Sequence, residues 1–135
     1  MKAMRSLLLC VFLFFVIVSA YGLQAKEYSR NHDPSGRYTS VISYRRYQSW
    51  IPMPVGSSAD KPGFVEIFDQ TGSLGRLPVV MLQSANIQWY GDEVELVLIG
   101  GWNLKNRTCY LWSEDGMRKV PVTRPLHILT DFLGF

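Results

Sequence analysis

Two cysteines and two histidines are the residues from which a nucleophile, a base or a soft metal site would have to be built. Nucleophilic triads and dyads need a histidine held by an orienting partner. His32 lies in the polar turn Asn31-His32-Asp33-Pro34, where it reads as a solvated or turn-capping side chain, and His127 lies in the apolar tail PLHILTDFLGF, where it reads as packing. Cys109 is followed by Tyr110-Leu111-Trp112 and reads as a small buried hydrophobe. Asp92, Glu93 and Glu95 are close in sequence, but Glu93 and Glu95 alternate with Val94 and Leu96 and so occupy the wet face of a strand, not a metal cage. Gly100-Gly101 leads into Trp102-Asn103 without the Lys-Ser/Thr pair and helix of a phosphate loop. The expectation is a protein without catalytic residues, cofactor or metal.

The elements that hold these residues follow from composition and patterning. The chain has 135 residues, 47% hydrophobic, 13% aromatic and 19% charged. That is room for one domain, and too apolar and aromatic for a disordered chain. The formal charge is +3; removing Lys2 and Arg5 from the N-terminus leaves 3 − 2 = +1. No basic patch of the kind that tracks nucleic acid is present.

Lys2 and Arg5 precede Leu7 to Val18, an unbroken apolar run of 12 residues, and the small, semi-polar stretch Ser19-Ala20-Tyr21-Gly22 follows. Basic start, apolar core and small-residue exit match a secretory signal peptide over 1–22, with cleavage after Ala20 or Gly22. The same stretch reads alternatively as an uncleaved anchor at the short limit for spanning a bilayer. Export leaves residues 23–135 as a single β domain in an oxidising compartment, where Cys109 has no internal disulfide partner once Cys10 is removed.

The mature chain reads as all-β, a small antiparallel sandwich or curved meander of six to eight strands. Ala25 to Arg30 is a polar leader, and Asp33-Pro34-Ser35-Gly36 is a turn. Tyr38 to Tyr47, Phe64 to Asp69 and Leu77 to Leu82 are strands, the last pushed to a sheet edge by Pro78. Ala85 to Ile99 is a hairpin around Gly91-Asp92, with Val94, Leu96 and Leu98 on its apolar face. Cys109 to Ser113 and Met117 to Val122 form a last hairpin, whose Pro121 marks another edge. The apolar tail over 125–135 packs onto the domain.

With chemistry scarce, binding surface remains. Gln48 to Pro62 is a connection of 15 residues in an otherwise tightly turned chain, and loops of that length carry function or are disordered. Trp50, Ile51 and Met53 stand among its prolines, which suits an interface anchor because Pro lowers the ordering cost and Trp supplies contact area. The alternative is a lid folded back on the sheet. Arg45, Arg46 and Tyr47 close the preceding strand at the same rim. Trp102 and Asn103 occupy another loop, with core packing the favoured reading for Trp102.

The signal peptide together with SRNHDPSGRYTSVISYRRY, KPGFVEIFDQTGSLG and IQWYGDEVEL resembles short exported enterobacterial β-proteins, some similar to periplasmic immunity proteins encoded beside type VI secretion effectors. The resemblance implies a periplasmic protein that binds and occludes a cognate toxin, a peptidoglycan-targeting one by the logic of the compartment, and it carries no catalytic residues to transfer. Two other readings stand beside it: an envelope-associated structural or ligand-binding module, and a small secreted hydrolase using Cys109. No nucleic acid is expected as a partner, and the membrane is one only if the N-terminal segment is kept.

Overall fold

Short β-branched and aromatic runs, broken every few residues by Gly, Asp or Pro, favour brief antiparallel strands joined by tight turns. The computed structural model describes residues 2–57 and 60–120 and has this form. A helix, α1 (Lys2–Leu23), leads into two antiparallel sheets. The first holds β1 (Ala25–His32), β2 (Thr39–Arg45), β3 (Gly63–Asp69) and β4 (Gly72–Val79), in that order across the sheet. The second holds β5 (Ile87–Tyr90), β6 (Glu93–Leu96), β7 (Gly100–Asn103), β8 (Thr108–Ser113) and β9 (Gly116–Val120), again in chain order. Each sheet is a meander, and the two share one core.

Ile42, Tyr44, Val65, Ile67, Leu74 and Leu77 face inward from the first sheet; Val94, Leu96, Trp102 and Cys109 meet them from the second. The joint between the layers is tight. Gly75 sits at φ +120°, a conformation that favours glycine. A Cβ there would stand 2.7 Å from that of Cys109. The Gly75 carbonyl accepts a 3.1 Å hydrogen bond from Trp102 Nε1, so the buried indole is satisfied. At the rim, Arg107 in the β7–β8 turn pairs with Asp69 at the end of β3 and ties sheet to sheet.

Among the described residues nine strands form, against the six to eight expected, because two segments read as irregular are paired. Ala25 to Arg30 is no loose leader but part of β1, an exposed edge strand held by its ladder to β2 and not by buried side chains. Gly100–Asn103 is β7, a central strand whose glycines pass close beneath neighbouring backbone and side chains. Three boundaries also move. Tyr47 lies outside β2, in a 3₁₀ turn over Arg46–Ser49. Leu77 to Leu82 is not one strand: β4 starts at Gly72 and ends at Val79, and Leu82 begins a 3₁₀ turn. Leu98 does not continue the apolar alternation, standing 90% exposed at φ 67° in the β6–β7 turn. Pro78 does lie on an edge strand, as expected. Pro121, Val122, His127 and the 125–135 tail fall outside the described residues.

Candidate functional site

The alternation of β6 and β8 decides what the second sheet shows to solvent. With Val94, Leu96, Cys109 and Leu111 turned to the core, Glu93, Glu95, Tyr110 and Trp112 must point outward. Register brings them together. Glu95 lies opposite Gly101, Gly101 opposite Tyr110, and Tyr110 opposite Lys119. The adjacent row runs Tyr90, Glu93, Asn103, Thr108. Gly101 makes the centre shallow, and the Tyr110 ring lies over it: a Cβ at Gly101 would come within 2.7 Å of the phenol oxygen.

The result is a cleft of about 390 Å³ with Tyr90, Tyr110, Trp112 and Met117 as apolar walls, Glu93 and Glu95 as its anionic side and Lys119 as a cation at its other border. Tyr110 and Trp112 meet edge to face with ring centroids 5.6 Å apart, a geometry that fixes both rings. Burial, then the Glu93 and Glu95 carboxylates, push the Tyr110 phenol above its usual range, so its hydroxyl stays protonated. Asn103 offers its amide to Glu93 at 3.5 Å and accepts the Asn106 N–H at 2.8 Å. A rigid aromatic floor beside two carboxylates suits a cationic or amide-rich protruding segment of a partner.

Arg45, Arg46, Tyr47 and Trp50 gather elsewhere, against the end of α1, and Ile51 and Met53 follow them in the chain. Arg45 donates to the Leu23 carbonyl at 2.7 Å and lies 5.3 Å from the centre of the Phe64 ring. Burial, with the like charge of Arg76 added, lowers its pKa from the ordinary arginine value. The Arg46 guanidinium covers the Tyr21 ring at 4.3 Å and donates to its hydroxyl. Trp50 stacks on Tyr21, centroids 6.2 Å apart and planes within 14°. It is therefore neither a free loop anchor nor a lid over a sheet: one face meets the helix and half of it stays exposed. Ile51 and Met53 remain exposed beside it.

Trp102 does not belong to any surface. It is fully buried and bonded to Gly75, so core packing is its role and partner contact is not. Asn103 is the one expected contact residue that lines the sheet cleft. Tyr90, Tyr110, Trp112 and Met117 were missed by sequence reasoning. Their signal was the alternation Cys109-Tyr110-Leu111-Trp112, which places both aromatics on the face opposite the buried cysteine.

The remaining chemistry-bearing groups are placed as packing and turn elements. Cys109 is fully buried, and burial pushes its thiol up to about 12, far from a neutral-pH nucleophile. His32 Nδ1 lies 3.0 Å from Thr39 Oγ1 across the β1–β2 ladder. Asp33 accepts the Tyr38 N–H at 2.9 Å and the Ser35 N–H at 3.1 Å, a turn cap. Among the described residues no group of three His, Cys, Asp or Glu is placed to hold a metal ion. Comparison of the chain with protein-family models, curated proteins and solved structures finds no match.

Proposed function

We propose that this chain is an exported binding protein of the periplasm that acts by occlusion, an immunity protein that blocks a toxin delivered into that compartment. The observation that carries the reading is the cleft on the outer face of the second sheet, with its locked Tyr110–Trp112 pair beside Glu93 and Glu95. Such a surface binds without chemistry of its own. Its aromatics supply contact area at little entropic cost because the strands already hold them. Its carboxylates steer a cationic active-site rim and penalise wrong partners. The toxin as partner comes from the sequence resemblance, and the apolar N-terminal helix, long enough by length and composition to direct export or to cross a membrane, supports the compartment.

The test is co-expression with the product of the adjacent gene, sent to the periplasm, followed by growth and calorimetry. A defence that must act on a toxin already in the compartment calls for nanomolar affinity, about −12 kcal/mol. Trp112→Ala is expected to cost about 2 kcal/mol or more of binding while circular dichroism and melting stay those of the native chain. A toxic neighbour whose effect this protein does not relieve overturns the reading. Relief that survives Trp112→Ala with unchanged affinity moves the contact off this face.

A further inference from the structure

The end of α1 is built into the domain instead of trailing from it. Gly22 is buried, and a Cβ there would come within 2.9 Å of the Trp50 ring and 3.2 Å of Tyr47 Cβ. The Gln24 carbonyl accepts the Arg46 N–H at 2.9 Å, and the Leu23 carbonyl accepts from the Arg45 guanidinium. Both candidate cleavage points, after Ala20 and after Gly22, thus lie in helix whose last turn is packed. A chain that keeps the segment keeps the Tyr21–Trp50 stack and the Arg46–Tyr21 contact.

Length and surface fit the same picture. From Leu7 to Leu23 the helix carries no charge for 17 residues, about 26 Å at 1.5 Å each, at the short limit for a hydrocarbon core of about 30 Å. From Leu7 to Ile17 its large side chains are exposed, and among the described residues none covers them. Lys2 and Arg5 at its start keep that end cytoplasmic, so the β domain emerges on the far side. At that far end an apolar groove of about 330 Å³ runs between Val18, Ser19, Gly22 and Leu23 of the helix and Tyr47 and Trp50 of the 3₁₀ segment. Tyr47 and Trp50 therefore reach back alongside the last apolar turns, to the depth at which a spanning helix leaves the hydrocarbon. Tyr21, Tyr47 and Trp50 are exposed there, and Ile51 and Met53, which follow Trp50 in the chain, are exposed too. Amphipathic rings next to an arginine at the end of an apolar helix form the composition of a membrane-interface belt.

We propose that α1 is retained as an anchor and that Tyr47, Trp50, Ile51 and Met53 sit in the outer headgroup layer beside it, a lipid-facing foot made by one helix and one loop. Two weak membrane signals add, so the loop also fixes how the β domain stands on the bilayer. The proposal concerns lipid contact and does not rest on the toxin reading; each can fail while the other stands.

The experiment has two parts on the full chain. Mass spectrometry of protein from carbonate-washed membranes should give the intact 135-residue species; a soluble chain starting at Tyr21 or Leu23 overturns the proposal. The intact protein is then placed in vesicles of phosphatidylethanolamine and phosphatidylglycerol, three to one, with lipids brominated near the glycerol end of the chain. Bromine should quench tryptophan emission, and Trp50→Phe should remove most of that quenching whereas Trp112→Phe should not. Equal quenching in Trp50→Phe and the parent overturns the loop's place in lipid. If Trp50→Phe fails to fold, a spin label at Ile51→Cys in a Cys10→Ser background decides. Relaxation by lipid-soluble oxygen above that by a water-soluble nickel chelate supports the foot, and the reverse order overturns it.

Discussion

The two sheets have the same topology and opposite surface habits. On the outer face of the first, opposite charges stand opposite each other in register. Glu66 faces Arg76 across β3 and β4, and their side chains meet at 3.1 Å while both are mostly buried. Ser73 donates to the same carboxylate, and Arg76 lies 4.0 Å from the centre of the Phe64 ring. Glu27 and Arg30 pair at 2.7 Å along β1. On the second sheet the facing positions are Glu95 with Gly101 and Tyr110 with Lys119. Among the described residues neither Glu93 nor Glu95 enters an ion pair. One face satisfies its own charges; the other leaves carboxylates and rings for a visitor. Identical strand pairing therefore gives a supporting face or an open one, the face proposed here for binding, according to which side chains share a row.

Three perturbations sharpen that contrast. The largest strikes what both faces depend on. Trp102→Ala should remove about 4 kcal/mol of stability, since a fully buried indole leaves a cavity and deprives the Gly75 carbonyl of its donor. Chemical denaturation should show the loss, and the cleft and the helix-end contacts should fail together because the two sheets share one core. Loss of one without the other would mean that the layers are independent.

The second perturbation separates the faces. Glu66→Gln leaves Arg76 beside Phe64 without the anion it faces and is expected to cost about 2 kcal/mol. Glu95→Gln on the binding face should change stability by no more than about 0.5 kcal/mol. Paired melts of the two variants check this, and equal costs would erase the distinction between supporting and binding face.

The sequence revealed elements where side chains carried the signal and hid them where the backbone did. The strands around Val65 and Ile67, around Val94 and Leu96, and from Cys109 to Ser113 announce themselves by alternation, and the hairpin about Gly91-Asp92 lies where its turn residues place it. β1 has no apolar face to read, because AKEYSRNH completes a ladder on the edge of β2 without burying a core side chain. β7 reads as a loop because Gly100-Gly101 suits a turn; it is a strand because only residues without a Cβ pass beneath the Tyr110 carbonyl and ring. The candidate cleft is half legible. Alternation alone puts Glu93 and Glu95 on the wet face, but their meeting with Tyr110 and Trp112 depends on register through β7, whose sequence reads as a loop. The Trp50 loop was legible as unusual, and its packing on Tyr21 was not, since nothing local in QSWIPM specifies a contact with a helix that ends 27 residues before Trp50.

The smallest effect tests the tie that holds the two layers in one orientation. Asp69 accepts the Thr71 N–H and hydroxyl, each at 2.7 Å, and pairs with Arg107 of the opposite sheet. Burial alone would raise its carboxyl, but these hydrogen bonds and the Arg107 charge outweigh burial and hold it below the usual carboxylate range. A carboxyl whose folded pKa is depressed contributes stability that is present above the unfolded pKa and is lost as pH falls through the folded value. The native chain should therefore lose part of its stability as pH drops below about 4, the ordinary aspartate value. Asp69→Asn should be less stable than the native chain at neutral pH by about 1 kcal/mol, a modest figure because Arg107 is nearly half exposed and solvent screens the pair. The difference should shrink toward acid, where the native carboxyl is protonated too. Urea melts of both proteins across that range provide the check. Parallel curves down to the lowest pH would show that Asp69 contributes through its turn geometry alone, and that the charge bridging the two sheets adds nothing to how the supporting and binding faces are held together.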